Sequence, residues 1–417
     1  MEVTKIQKAI LESSLPRSVV ESVMGRIKHG SLLMKHSDGS EKRYGDHLTQ
    51  PINVTIHDER FYLHCLLYGD IGFGEAFMYG WWTTTDLAGV LKTLINNMQE
   101  LGGMSGSKAK ASGNVLKAVN RAAHLFRANT LAGARKNIQE HYDLSNDFYS
   151  LWLDPTMTYS SAYWTQKDMT LEEAQRAKWK ALAENLGLKA EDDLLEIGTG
   201  WGGFACYAAK EYGCKVTTIT ISEEQHKYAK ALFEREGVAD KITLHLQDYR
   251  KIKGTFSKIV SIEMMEAIGH AFLPIFFKVL NDRLRPNGLV SFQVITCADS
   301  RYEEYRKGVD WIQKHIFPGA LLPSVGHMTK VINEVSELQL VKFRDMGPHY
   351  AKTLRAWDKN FTRVENKIET LGFDETFRRK WHYYFQYCEA AFETRNISVV
   401  QMTLTRPNNS TIQSDVL

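Results

Sequence analysis

No apolar run in this 417-residue chain approaches the ~18–20 residues that a bilayer-spanning helix needs. The stretch from Ala267 to Phe277 is uncharged but short, and Gly269, His270 and Pro274 interrupt it. The first residues mix acidic and basic side chains without an apolar core, so a secretory signal is not expected there. Cysteine is scarce: Cys65, Cys206, Cys214, Cys297 and Cys388 are scattered and form no CxxC pair. That argues against a disulfide framework or a zinc site and suits a reducing cytoplasm. A composition of 43% hydrophobic and 24% charged residues excludes disorder, collagen and coiled coil as the overall class. There is no internal repeat.

Acidic residues are missing from one long stretch. None lies between Glu100 and Glu140, whereas Lys108, Lys110, Lys117, Arg121, Arg127, Arg135 and Lys136 do. A net charge of +3 hides this asymmetry, since residues 1–139 hold 17 Lys+Arg against 12 Asp+Glu. Such a local field attracts polyanions, whether nucleic acid or an anionic membrane surface. Residues 102–114 read as a flexible linker by composition. Beyond them Val115, Val119, Ala122 and Phe126 share one helical face, with Lys117, Arg121, His124 and Arg127 off it. This basic amphipathic helix packs on its own protein, lies on anionic lipid or meets nucleic acid; the pattern alone leaves all three open.

The first hundred residues read as a small mixed domain. VVESVMGRIKHG predicts a helix ending near Gly30, and Asp38-Gly39 predicts a hairpin. INVTIHDERFYLHCLLYG alternates as a half-buried strand does, and Asp86 is a plausible N-cap for the helix that follows it. From about residue 170 helices and strands alternate. DDLLEIG, CKVTTIT, KITLHLQDY, FSKIVSIEMM and GLVSFQVIT are short β-rich runs between helical patterns, which predicts an α/β fold with a parallel, doubly wound sheet. Pro286-Asn287-Gly288 reads as a turn.

DDLLEIG runs into Gly198-Thr199-Gly200-Trp201-Gly202-Gly203 and then a helix. Glycines there let the backbone approach a ligand. A dinucleotide site expects an acidic residue ending the second strand, but that strand ends in Thr218 to Ser222, with Gln225 beyond. Glu196 and Asp248, at the ends of the first and third strands, fit S-adenosylmethionine (SAM) better than NAD; a loop without a ligand is the remaining reading.

Six ordered segments carry a resemblance: HYDLSNDFYSLWLDPTMTYSSAYW, LLEIGTGWGGFACYAAKEYGCKVTTITISEEQ, LQDYR, SIEMMEAIGH, WIQKHIFPGALLPS and GPHYAKTLRAWDKNF. Across residues 135–405 the chain resembles the cyclopropane fatty acid synthase family, which includes the mycolic acid cyclopropane synthases. GFGEAFMYGWW resembles the smaller domain of its longer members. The resemblance implies a class I SAM-methyltransferase, Rossmann-like with a mostly parallel seven-stranded sheet, beside a smaller mixed α+β domain. The implied division is residues 1–101 for lipid docking, 102–134 for linker and basic helix, and 135–417 for catalysis.

It further implies methyl transfer from SAM to a cis double bond of an unsaturated acyl chain in membrane phospholipid, closing a cyclopropane. A methyl- or methylene-branched product is the alternative. For SAM the matching positions are Tyr159, Ser160, Gly198, Gly200, Gly202, Thr220, Gln225, Gln247 and Asp248, with His141 either near the cofactor or a buried structural histidine. In the family a bound bicarbonate accepts the proton. Its holders map to Glu266, Tyr350 and the backbone near Ile295, while Ser161 stands for the usual cysteine and Gln293 for the usual histidine. Glu263, where many members have glycine, is a structural residue or a substitute base. Tyr159, Tyr163, Trp164, Trp201 and Tyr350 are core aromatics or cation stabilisers. The expected location is cytoplasmic, peripheral to the inner face of the membrane, with no nucleic-acid partner; dimerisation carries over from family members. A lipid-docking module beside a degenerate methyltransferase, and a nucleic-acid methyltransferase, are the readings from other classes.

Overall fold

Residues 14–101 and 145–412 are described in the computed structural model of the chain. The linker, the basic amphipathic segment and His141 lie outside them. The described residues divide into two units.

One unit contains residues 145–302, Phe317–Asn360 and 397–412. Its strands are β5 (Asp193–Ile197), β6 (Lys215–Thr220), β7 (Ile242–Leu246), β8 (Phe256–Ile262), β9 (Leu284–Cys297), β10 (Gln339–Asp345) and β11 (Ile397–Thr405). They form a seven-stranded sheet in the order β10-β11-β9-β8-β5-β6-β7. Every pairing from β7 to β9 is parallel, and β11 runs antiparallel to both β9 and β10. This is the mostly parallel, seven-stranded α/β sheet that the resemblance implies.

Alternation along the strands divides the core. Leu195 and Ile197 face Phe276, Phe277 and Leu280 of the helix Leu273–Arg283. Their neighbour Leu194 turns to the opposite face, among Leu182, Leu186, Phe204 and Ala205. The helix Leu171–Leu186 starts with a capping box from Thr170 and Glu173 and stops at Gly187 in a left-handed conformation. The expected turn at Pro286-Asn287-Gly288 lies inside the bounds of β9. There the ladder passes from Phe256↔Leu284 to Lys258↔Leu289, with Asn287 at φ 61, so the turn is taken up as a bulge.

The other unit contains residues 14–101, Glu303–Ile316 and Phe361–Asn396. Strands β1 (Ser31–Lys35), β2 (Glu41–Gly45), β3 (Ile52–Ile56) and β4 (Trp82–Thr84) form a sheet in the order β2-β1-β3-β4. The hairpin at Asp38-Gly39 is present, as is the Asp86 cap, whose Oδ1 accepts from the Gly89 N–H at 2.8 Å. The first described helix spans Leu15–Met24 and is capped at Gly25, earlier than the expected Gly30. The strand expected from Ile52 stops at Ile56, and Arg60–Met78 is helix, bent at Gly69. Alternation ends at His57, and the apolar run beyond it has no period that separates strand from helix. Phe73, Phe77 and Trp82 of the segment expected to dock on lipid are buried inside this unit; Tyr79 is exposed.

The unit is assembled from distant sequence. The helix Glu375–Glu393 packs on the helices Leu87–Asn96 and Arg60–Met78. Arg379 donates to the Phe77 carbonyl at 2.6 Å and the Trp82 carbonyl at 3.0 Å, and Trp311 fills the space beside Gly74. Residues 303–316 and 361–396 therefore pack with the N-terminal elements, whereas the linear division at residue 135 grouped them with the catalytic part. No helix among the described residues is long and apolar enough to cross a membrane.

Candidate active site

The carboxyl ends of the parallel strands converge on the turn that leaves β5, where open α/β sheets bind their ligands. Gly198, Gly200 and Gly202 have φ of 100°, 53° and 92°. A Cβ on Gly202 would lie 2.8 Å from Phe233 and 3.0 Å from Ala229, and one on Gly198 would meet Met264 at 3.2 Å. A Cβ on Gly200 would meet nothing within 4 Å, so the crest of the turn is bare backbone facing open space. Such a cradle fits a ligand seated on main chain, as SAM requires. The surface hollow lined by Asp193, Lys215, Lys241 and Arg285 lies at the opposite, amino ends of the strands.

The turn is braced from below. Gly198 and Thr199 donate their N–H groups to the Ile219 carbonyl, each at 3.0 Å. Thr199 and Thr218 hydroxyls pair at 2.7 Å, and Thr218 donates to Glu196 at 2.5 Å. Glu196 is thus a buried brace facing the sheet interior, and burial pushes its carboxyl up to about 8. Around the turn, Thr220 donates to Gln225 Oε1 at 2.9 Å, and the Gln247 N–H donates to the Thr220 carbonyl. Both carboxylate oxygens of Asp248 accept from Arg250, each at 2.7 Å.

Met264, packed on Gly198, places the loop after β8 beside the turn. Glu263 and Glu266 flank it there. Glu263 Oε1 accepts from the Ser161 N–H and from Gln293 Nε2, both at 2.8 Å, and Oε2 accepts from the Tyr350 hydroxyl at 2.8 Å. Glu266 Oε1 accepts from the Ile295 N–H at 2.5 Å, while its buried Oε2 has no hydrogen-bond partner among the described residues. Glu266 and Tyr350, the residues on which the reading of the sequence leaned most, both face Glu263, Tyr350 through its hydroxyl and Glu266 through the charge it feels. Burial, then the charge of Glu263, raises the Glu266 carboxyl to about 8. Burial also pushes Glu263 up, opposed by Lys178, Gln293, Ser161 and Tyr350. Three donors reach Glu263 and favour its charged form, whereas burial and the charge of Glu263 favour the protonated form of Glu266.

The expected bicarbonate does not fit this arrangement. Gln293 and Tyr350 direct their donors to Glu263, as does the Ser161 backbone, and the Ser161 hydroxyl donates to the Ala162 carbonyl at 3.1 Å. The side chain of residue 263 fills the seat that a glycine would leave open.

Lys178 was not among the residues singled out from the sequence. It is fully buried, and its Nζ donates to Ser160 Oγ at 2.7 Å and to Gln175 Oε1 at 2.6 Å. Burial brings its ammonium down to about 7, against the pull of Glu263 and Asp154. In the sequence it is one more lysine of a charged helix; only the packing of the helix Leu171–Leu186 reveals it. An aromatic group completes the surroundings. Tyr159 has its ring centroid 5.3 Å from Trp357 and 5.5 Å from both Trp152 and Tyr149, and Tyr350 stands edge-on to Trp357 at 5.9 Å.

A family model described as mycolic acid cyclopropane synthetase matches residues 130–402. The tuberculostearic acid methyltransferase UfaA1 of Mycobacterium tuberculosis is 36% identical over 361 residues, 81% of this chain and 79% of that protein. The cyclopropane-fatty-acyl-phospholipid synthase of Escherichia coli is 35% identical over 360 residues, 85% of this chain and 88% of that one. Among solved structures, the cyclopropane synthase MmaA2 from M. tuberculosis aligns with TM-score 0.60 at 29% identity, covering 65% of this chain and 98% of its own. The mycolic acid cyclopropane synthase CmaA1, complexed with SAH and CTAB, aligns with TM-score 0.60 at 30% identity, covering 65% and 98%.

Proposed function

Since the chain belongs to the mycolic acid cyclopropane synthetase family and is a SAM-dependent methyltransferase, we propose that it methylates a cis double bond of an unsaturated phospholipid acyl chain and closes a cyclopropane. The observation that carries this reading is the meeting of a bare glycine turn with a buried carboxyl pair and a cluster of aromatic rings. Gly198, Gly200 and Gly202 would seat the cofactor on backbone, with Tyr159, Ser160, Thr220, Gln225, Gln247 and Asp248 around it. Bound there, SAM supplies an electrophilic methyl group.

An alkene is a poor nucleophile, so the acyl chain must be held in line with that methyl. Positive charge then develops on the chain. The faces of Tyr159, Trp357 and Tyr350 stabilise it and keep water away. A carboxylate in the same dry space accepts the proton that leaves. The basic 108–136 stretch supports action on a membrane lipid by peripheral docking on the cytoplasmic face.

The departures at Ser161 and Gln293 favour a second reading, a methyl- or methylene-branched chain: after a 1,2-hydride shift onto the first cationic carbon, loss of a proton from the transferred methyl leaves an exocyclic methylene, and loss from a neighbouring chain carbon leaves a methyl-branched alkene. Incubation with SAM and unsaturated phospholipid vesicles, followed by proton NMR of the released fatty acids, separates the two. A high-field cis-ring methylene signal supports cyclopropane, and an exocyclic vinyl signal supports the methylene product. Mass alone cannot discriminate, because ring and methylene branch are isomers. Tight SAM binding without any lipid product overturns both readings.

A further inference from the structure

We propose that the carboxylate of Glu263 is a resident base occupying the place of an exogenous anion, with the buried ammonium of Lys178 as its counter-charge. The proposal rests on the acyl-methylation reading above and names the group that completes it.

Three observations carry it. First, the donors convergent on Glu263 form a complete anion seat: two on Oε1, one on Oε2, all at 2.8 Å. Second, Glu263 has φ 47, a left-handed conformation that is strained for a non-glycine residue and persists only when its surroundings hold it. Third, Gln293 uses its whole amide for this purpose. Nε2 donates to Glu263 and to the Ser161 carbonyl at 3.2 Å, and Oε1 accepts from Gln401 at 3.1 Å. A neutral group with protons to give suits a neighbour that is a carboxylate before the proton is transferred.

The titratable and charged groups that face Glu263 are Lys178 from the helix Leu171–Leu186, Tyr350 from the helix Gly347–Arg363 and Glu266 from its own loop. Asp154 is the second carboxyl in the field of Lys178. Lys178 is a positioning residue. It fixes Ser160 through a 2.7 Å hydrogen bond, and the next residue gives its N–H to Glu263.

The step balances without a further reactant. The π pair of the alkene forms the new C–C bond, and the pair of the S–CH3 bond stays on sulfur. The C–H pair of the transferred methyl closes the ring, and its proton goes to Glu263. A sulfonium and a carboxylate become a thioether and a carboxylic acid.

The test uses the full chain with Glu263→Gly and Glu263→Gln. Glycine suits the backbone at this position, so Glu263→Gly empties the seat without strain. In CO2-free buffer the wild type is expected to turn over at the same rate as with millimolar bicarbonate. Glu263→Gly should lose at least ~100-fold and recover ~10-fold or more on adding bicarbonate, and Glu263→Gln should lose as much and not recover. Independently of turnover, 13C NMR of labelled bicarbonate should show line broadening by Glu263→Gly but not by the wild type. Lys178→Met should move the acidic limb of the kcat profile upward by about one pH unit. The resident base is overturned by a wild type that needs or binds bicarbonate, or by full activity of Glu263→Gly without it. An unmoved pH limb in Lys178→Met overturns the counter-charge. The bicarbonate NMR reads the seat even where lipid product fails to form, so it fails separately from the acyl-methylation reading.

Discussion

Glu196 shows how a single buried carboxyl serves the site without touching it. It anchors Thr218, and through the Thr218–Thr199 hydroxyl pair it steadies the glycine turn. Its burial has a pH consequence. With the native carboxyl raised to about 8, the folded chain holds a proton that the unfolded chain releases near pH 4–5. The contribution of Glu196 to stability is therefore largest at acidic pH and declines as pH rises toward about 8. Glu196→Gln keeps an acceptor for Thr218 and removes the titration. Thermal melts should show the variant gaining on the wild type with rising pH, by ~4 kcal/mol at pH 8. A constant difference across pH would contradict this. Residue identity alone singled out Glu266 and Tyr350, because each sits in a recognisable block. Glu263 and Lys178 could not be ranked that way, since a carboxylate and an ammonium gain their meaning from the groups that close around them.

At the scale of elements, the turn between β5 and the helix Gly203–Glu211 separates two demands on glycine. Gly202 is hemmed in by Phe233 and Ala229, whereas Gly200 faces open space. Gly202→Ala should lower stability by ~1–3 kcal/mol in urea unfolding. Gly200→Ala should melt within a few degrees of the wild type yet weaken SAM binding by ~10-fold or more in titration calorimetry, because its methyl enters the ligand's space. Equal effects on stability would remove the distinction. The sequence predicted both ends of this motif, strand and helix, from their periods. It misjudged the stretch after Ile56, where a continuous apolar run suits strand and helix alike and the packing of Phe61, Tyr62 and Phe73 decides.

At the scale of the whole molecule, the N-terminal unit depends on a helix almost three hundred residues further along. Gln386 Oε1 accepts from the Ala88 N–H at 3.2 Å, and Lys92 pairs with Glu393 at 2.7 Å. A fragment of residues 1–126 should therefore lack a cooperative unfolding transition by circular dichroism, and a sharp melt of that fragment would refute the dependence. The proposed membrane attachment is tested through the basic stretch of the sequence. Replacing Lys117, Arg121 and Arg127 by Glu should weaken binding to anionic vesicles, with the difference shrinking as salt rises. Vesicle binding unchanged by these substitutions would move the docking role elsewhere.

Local order along the chain was enough for the α/β alternation, the cap at Asp86 and the family blocks, because period and turn chemistry act between near neighbours. Two matters needed the tertiary structure. One is which distant segments complete the N-terminal unit, a question of buried faces matching across the chain. The other is the occupant of the anion seat, where Ser161, Glu263, Gln293 and Tyr350 meet from four separate elements. In a space without water each donor must find an acceptor, and only folding determines which one it finds.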